Sequence, residues 1–255
     1  MKRAFVFAGR NIKELLRDPL SYIFCLGFPV VMLVIMTAIN SIIPAGAMDI
    51  FNIDKLAPGI AVFALSFVML FAALSVSKDR SGAFLARLFS SPMRAADFIL
   101  GYMLPLLAVA LGQFAVTYIC AAVIGAADGV TLPLGGVLLS CLTLIPTALF
   151  FVSAGLLFGT LLSDKAAPPC SSIIISLCGI MGGIWFDLGA IPRGNALAVI
   201  CRIFPFSHAT DAARSAISGD LSDMWVHLAV TIAWAILSCA AAVLVFRMRM
   251  KSDKT

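Results

Sequence analysis

The chain has 255 residues, of which 62% are hydrophobic and 12% charged, and it carries a formal net charge of +5. A soluble globular domain holds roughly 25% charged residues and could not hide this much apolar side chain, so a soluble fold is excluded and the excess is expected to face lipid. Seven cysteines show no metal-ligand spacing, and all but Cys201 lie in apolar runs, which reads as packing and predicts no disulfide.

Residues 3–17 predict an amphipathic helix. At 100° per residue, Phe5, Ala8, Gly9, Ile12, Leu15 and Leu16 share one side, while Lys2, Arg10, Lys13 and Arg17 share another; Val6 and Phe7 break the pattern. Asp18-Pro19 stops the helix, because the residue before proline avoids helical backbone. A basic helix of this kind is expected to lie at the cytoplasmic headgroups, as a topology anchor or as a mechanical element. The charged opening has no small-residue cleavage site after an apolar core, so no signal peptide is expected.

Six apolar stretches follow, at 20–41, 57–77, 98–124, 135–162, 170–186 and 226–246. A bilayer core needs about 20 helical residues, so each is a candidate span, the fifth being short and Gly-rich. The runs are continuously apolar and do not alternate with period two, which favours helices over a β-barrel. Pro29, Pro105 and Pro146 fall inside spans and predict local kinks. No Asp, Glu, Lys or Arg lies mid-span, and Gln113 is the obvious amide there. This argues against ion-driven carriage and voltage sensing, which need ionisable groups at membrane depth.

Placing both termini inside puts 14 of the 18 basic residues in inner segments, leaving Lys55, Arg193, Arg202 and Arg214 outside. Basic residues near span ends are retained in the cytoplasm, so a multi-pass protein with both termini cytoplasmic is expected. The same distribution explains the positive charge without nucleic acid.

The inner loop 78–97 carries Phe84/Leu88 and Leu85/Phe89 as i,i+4 pairs on a short helix ended by Ser90-Ser91-Pro92. An apolar face with basic flanks suits either protein docking or anchoring of the two phenylalanines in the interface. The outer segment 187–225 predicts a helix at 194–203 and a second from Ser207, as N-cap, to Ile217, with Pro205 between them and Gly219 closing the second. Elements this short are re-entrant or interfacial. His208, three residues from Asp211, is expected to bond locally. Phe24 and Phe28, with Phe63, Phe67 and Phe71, form i,i+4 ridges for lipid contact, helix packing or a cargo lining. Gly155/Gly159 and Gly179/Gly183 permit close helix packing. No phosphate-binding loop, His-Glu-x-x-His or paired-Cys cluster occurs, so catalysis by this chain is not expected.

Three stretches, in order and across nearly the whole chain, resemble the membrane subunits of ABC transporters of the type-2 export class. They are Arg10-Asn11-Ile12-Lys13-Glu14-Leu15-Leu16-Arg17-Asp18-Pro19 leading to Phe28-Pro29; Leu85 to Gly101, with its Ser91-Pro92 and Phe98-Ile99-Leu100-Gly101; and Phe204-Pro205-Phe206-Ser207-His208-Ala209-Thr210-Asp211-Ala212-Ala213-Arg214. The resemblance implies an all-α integral membrane fold, with 1–255 as one permease domain. Residues 1–19 become an interfacial elbow helix in which Arg10, Lys13, Arg17, Asp18 and Pro19 are the marked positions. Residues 78–97 become a coupling loop with Asp79, Arg80, Phe84, Leu85, Arg87, Leu88, Phe89, Ser91 and Pro92 as ATPase-coupling residues. The outer hairpin carries Pro205, Ser207, Asp211 and Arg214, and Phe24, Phe28, Phe63, Phe67 and Phe71 are pathway candidates. The family also implies two cytosolic ATPase subunits that use ATP and Mg, no cofactor on this chain, and a second permease copy as homodimer or related heterodimer in the cell membrane. The family's acidic pair and Gly-Thr before the leucines are replaced here by Lys78-Asp79-Arg80-Ser81-Gly82-Ala83, leaving Asp79 to cover the acidic role. The small drug, lipid or peptide exporters are the nearest subgroup. A secondary transporter or channel without ATPase, a lipid-acting membrane enzyme, and a non-transporting anchor or sensor subunit are the alternatives.

Overall fold

The computed structural model describes residues 2–44, 49–82, 93–192 and 194–252. These form α1 (Lys2–Leu15), α2 (Pro19–Ile42), α3 (Ile53–Ser81), α4 (Ala95–Ala127), α5 (Leu134–Leu161), α6 (Ala167–Met181), α7 (Ala196–Ile203), α8 (Pro205–Ser218) and α9 (Leu221–Ser252), with 3-10 turns at Asp49–Phe51 and Leu188–Ala190 and no strand among the described residues.

Among the described residues, α2, α3, α4, α5 and α9 are long and apolar enough to cross a bilayer. The stretch expected at 170–186 differs. It forms α6, which is 15 residues long. At 1.5 Å per residue that is about 22 Å, short of a hydrocarbon core of about 30 Å. Gly182 and Gly183 end it, and Gly183 sits at φ +61°, in the left-handed region that glycine enters without steric cost. The long helices overrun their apolar windows because polar end turns remain helical. Thus α3 continues through Lys78, Asp79 and Arg80 to Ser81, and α4 already starts at Ala95.

The core forms around α3. Of its apolar window 72% is buried, against 17% for α2, so α3 is the central helix and α2 a peripheral one. Close approach of α5 to α3 depends on Gly155 and Gly159, where a Cβ would overlap the carbonyls of Met69 and Ala73. The spacing therefore serves packing within this chain. Gly179, in contrast, faces Phe63 and Trp185, and Gly183 lies beyond the helix in the turn. Buried Gln113 on α4 donates from Nε2 to the Ala61 carbonyl of α3 at 2.9 Å.

Proline effects are local. Pro29 lacks an N–H, and the preceding turn Ile23–Gly27 of α2 widens to π geometry. Pro105 and Pro146 are accommodated inside α4 and α5. At one end of the bundle lie α1, the end of α3, the start of α4 and the end of α9, where Phe98 meets Phe246. At the other end α8 folds over α3 and α5, and α7 packs on α8. Asn195 caps α7 by accepting from Leu197 N at 2.9 Å, and Gly219 at φ +83° ends α8. Phe206 packs on Phe150 and Phe151 of α5, and Phe204 stacks on Trp234 of α9.

Candidate functional site

The face by which α1 docks on the bundle lies beside the apolar stripe read from the sequence. Ala4, Phe7, Ala8 and Asn11 are buried, whereas Phe5, Ile12 and Leu16 are exposed. Phe7, which broke the sequence pattern, is the anchor. It packs edge-on against Phe98 and Tyr102 of α4, and a Cβ at Gly101 would overlap its ring. The space that glycine leaves is the reason Phe7, and not the Phe5 stripe, faces the bundle. Asn11 fixes the docking by donating from Nδ2 to the Gly101 carbonyl at 3.0 Å.

Docking carries Arg10 to the last turns of α3. Its guanidinium grips both carboxylate oxygens of Asp79, Nη1 to Oδ2 at 2.7 Å and Nη2 to Oδ1 at 3.0 Å. Tyr102 Oη donates to the same Oδ2 at 2.7 Å. Arg10 also pairs with Glu14 one turn on. Burial pulls the Arg10 pKa down, but the hydrogen bond and charge of Asp79, helped by Glu14 and Tyr102, outweigh it and leave it raised. The Asp79 side chain is 11% exposed, so this is a two-pronged, largely desolvated pair, the geometry in which an arginine–carboxylate contact is strongest.

The next residue ties the same helix end elsewhere. Arg80 donates to the carbonyls of Thr160 and Leu162, the latter at 2.8 Å, at the end of α5. Terminal carbonyls of a helix lack intrahelical partners and accept a cation readily. Asp79 and Arg80 together therefore join the end of α3 to α1, α4 and α5. On the far side of the loop, Arg94 N donates to Asp97 Oδ2 at 3.0 Å, closing a capping box at the start of α4. Phe84, Leu85, Arg87, Leu88, Phe89, Ser91 and Pro92 lie outside the described residues, between these two rigid roots.

Asp18 both ends α1 and starts α2: Oδ1 accepts from Leu20 N at 3.2 Å, Oδ2 from Ser21 Oγ at 2.7 Å, and Pro19 occupies the first helical position. Lys13 and Arg17 are exposed. Between α1, the start of α2, the end of α3 and α4 lies an open cavity of about 710 Å³, with Glu14, Arg17, Asp18, Lys78, Asp79 and Tyr102 on its walls.

The five phenylalanines interlock. Phe24 stacks on Phe67 at 5.8 Å, and Phe28 sits 4.7 Å from Phe67 and 5.8 Å from Phe63. Phe71, buried, touches Phe24, and Phe63 meets Trp185 beyond α6. They form the α2–α3 seam, which holds α2 to the core.

At the hairpin end Arg214 clamps two carbonyls, Nε to Lys55 O and Nη1 to Gly183 O, each at 3.0 Å, with Asp211 4.0 Å away. Burial leaves the Asp211 pKa raised, against the opposing charges of His227, Arg214 and His208. Pro205 opens α8. Ser207 is not the N-cap. It lies inside α8, and its hydroxyl donates to the Cys201 carbonyl of α7 at 2.9 Å, because Pro205 opens the helix and puts the N-cap at Phe204, three residues earlier. His208 bonds not Asp211 but His227 of α9 and the Arg202 carbonyl. Sequence reasoning missed Phe7, Asn11 and Tyr102. Gly101, at the start of an apolar run and followed by tyrosine, was the one signal that a side chain from elsewhere closes on that turn.

A protein-family model described as "ABC-2 family transporter protein" matches residues 46–244. No curated protein matches the sequence.

Proposed function

The chain belongs to the ABC-2 family of transporter proteins, multi-pass permeases of ABC transporters, and on that premise we propose that it is the pathway-forming subunit of an exporter. In this reading it moves a hydrophobic or amphipathic cargo out of the cytoplasm, and a separate cytosolic ATPase, present in two copies, hydrolyses the ATP. A second permease copy completes the pathway, and the α1 end of the bundle faces the cytoplasm.

The observation that carries the reading is the Arg10–Asp79–Tyr102 junction. The segment 83–92 is strung between Asp79/Arg80 and the Asp97-capped start of α4. A force applied to it reaches α3 and α4 at their ends, and the junction passes it to α1 and α5. The helix α2, peripheral and packed on α3 through its aromatic seam and on α4, is the element that shifts against this block. ATP binding biases the two arrangements only through contacts that differ between them, and the loop is where such contacts are felt.

The test is Phe84→Asp in the full chain reconstituted with its ATPase. Membrane insertion and ATP hydrolysis are expected to persist while transport is lost. Normal transport by this variant, or labelling of a cysteine at position 84 from the outer face, sinks the reading. Co-elution of an ATPase on gentle solubilisation separates it from an ion-driven carrier.

A further inference from the structure

His208 on α8 and His227 on α9 are the two histidines of the chain, and their Nδ1 atoms lie 2.7 Å apart. Two bare ring nitrogens repel at that distance, so a proton sits between them. A metal ion does not fit. Two bonds of about 2.1 Å at a tetrahedral angle hold the nitrogens about 3.4 Å apart. No group of three or more ligating side chains occurs among the described residues.

The outer nitrogens set the direction of the inner bond. His208 Nε2 lies 3.0 Å from the Arg202 carbonyl, which can only accept, so Nε2 carries a hydrogen. Neutral His208 then presents a bare Nδ1, and His227 is the donor between the rings. A neutral His227 with its hydrogen on Nδ1 aims a bare Nε2 at the Asp223 carboxylate, whose Oδ2 is 3.5 Å away. Two acceptors face each other there. One added proton on His227 Nε2 turns this opposition into a charged contact and completes a line from the Arg202 carbonyl through both rings to Asp223. A second added proton must go to His208 Nδ1, the atom already accepting, and the bond between the rings is lost.

We propose that His208 and His227 together hold one added proton, that the bond between the rings latches α8 to α9 and is strengthened by that charge, and that arrival of a second proton releases the latch. The groups facing the pair are Arg202 from α7, Asp211 from α8 and Asp223 from α9; Asp54 of α3 and Asp187 act on Arg214, beside Asp211, and α5 brings no Asp, Glu, Lys, Arg or His. Burial lowers the His208 pKa. The Arg202 carbonyl and Asp211 oppose the shift, and the charges of His227 and Arg202 add to it, so the second proton is the costly one. Ser215, whose hydroxyl donates to Asp223 Oδ2 at 2.9 Å, is the second tie between the same helices and does not titrate.

Because every histidine signal comes from this pair, the test is direct. The full chain, without a polyhistidine tag and labelled with 15N-histidine, is followed in lipid nanodiscs by 15N NMR from about pH 8 to about pH 4. One ring is expected to become imidazolium while the other keeps its Nε2–H form, the second following at least about one pH unit lower. A common midpoint for both rings, or two neutral rings that both carry Nε2–H, overturns the shared proton. Amide exchange of 205–218 is expected to speed up about tenfold across the second step, the loss of one coupling hydrogen bond. His227→Asn keeps the contact in both states, since its amide stands where Nδ1 stood and donates to a bare Nδ1 or, turned over, accepts from a protonated one. It is expected to abolish that pH step, and an unchanged step in this variant overturns the latch.

Discussion

Arg10 and Asp79, 69 residues apart in sequence, meet through two hydrogen bonds of 2.7 and 3.0 Å and so lock the first helix of the chain to the end of its central one. Removing one partner leaves the other charge partly buried and unpaired. Asp79→Asn is expected to destabilise the protein by about 2 kcal/mol, the cost of an unsatisfied, partly desolvated charge. Thermal unfolding in detergent of this variant, Arg10→Gln and the double variant closes a cycle, and a coupling energy of about 1–2 kcal/mol is expected. Under the proposed function, transport per ATP hydrolysed falls as well.

The α3–α5 contact has no room for a methyl group. In Gly155→Ala the new Cβ meets the backbone oxygen of Met69, which cannot rotate away as a side chain could. Separation of the two helices is expected to cost about 2–3 kcal/mol, as overpacking does. The control is Gly112→Ala, where nothing lies within 4 Å and stability is expected to hold or rise.

The hairpin end depends on one guanidinium. Arg214→Lys keeps a positive charge but cannot reach the Lys55 and Gly183 carbonyls in two directions at once. Loss of about 1–2 kcal/mol is expected. The measurement that checks it is proteolysis or amide exchange localised to 183–218, with the α1 end unchanged.

Acid is expected to weaken the fold through His208. Its folded pKa is lowered from the ordinary histidine value of 6.5, first by burial. The unfolded chain therefore takes up the proton before the folded chain does. Stability from this group is complete above pH 6.5 and declines as pH falls from there toward the folded value. Unfolding midpoints measured downward from neutrality are expected to fall in the native chain, with a shallower fall in His208→Gln.

Composition and run length by themselves determined that the chain is helical and built to lie in lipid, because continuous apolar runs of about 20 residues span a bilayer as helices, whereas barrel strands alternate with period two. The resemblance carried by Leu85–Gly101 and Phe204–Arg214 pointed to the family that residues 46–244 match. Local signals were also enough for Asp18 as a boundary and Gly219 as a helix end, since both act on neighbouring backbone. Periodicity marked the Phe5 stripe of α1, which stays exposed, and gave no sign of Phe7, because the face that docks on the bundle is chosen by the gap at Gly101, 94 positions from Phe7 in the chain. The partners of Asp79, Arg80, Arg214 and His208 were likewise decided by tertiary structure alone. Each lies on another element of the chain, and a charged side chain at a helix end carries no mark in its own sequence of which carbonyl or carboxylate the fold will bring beside it.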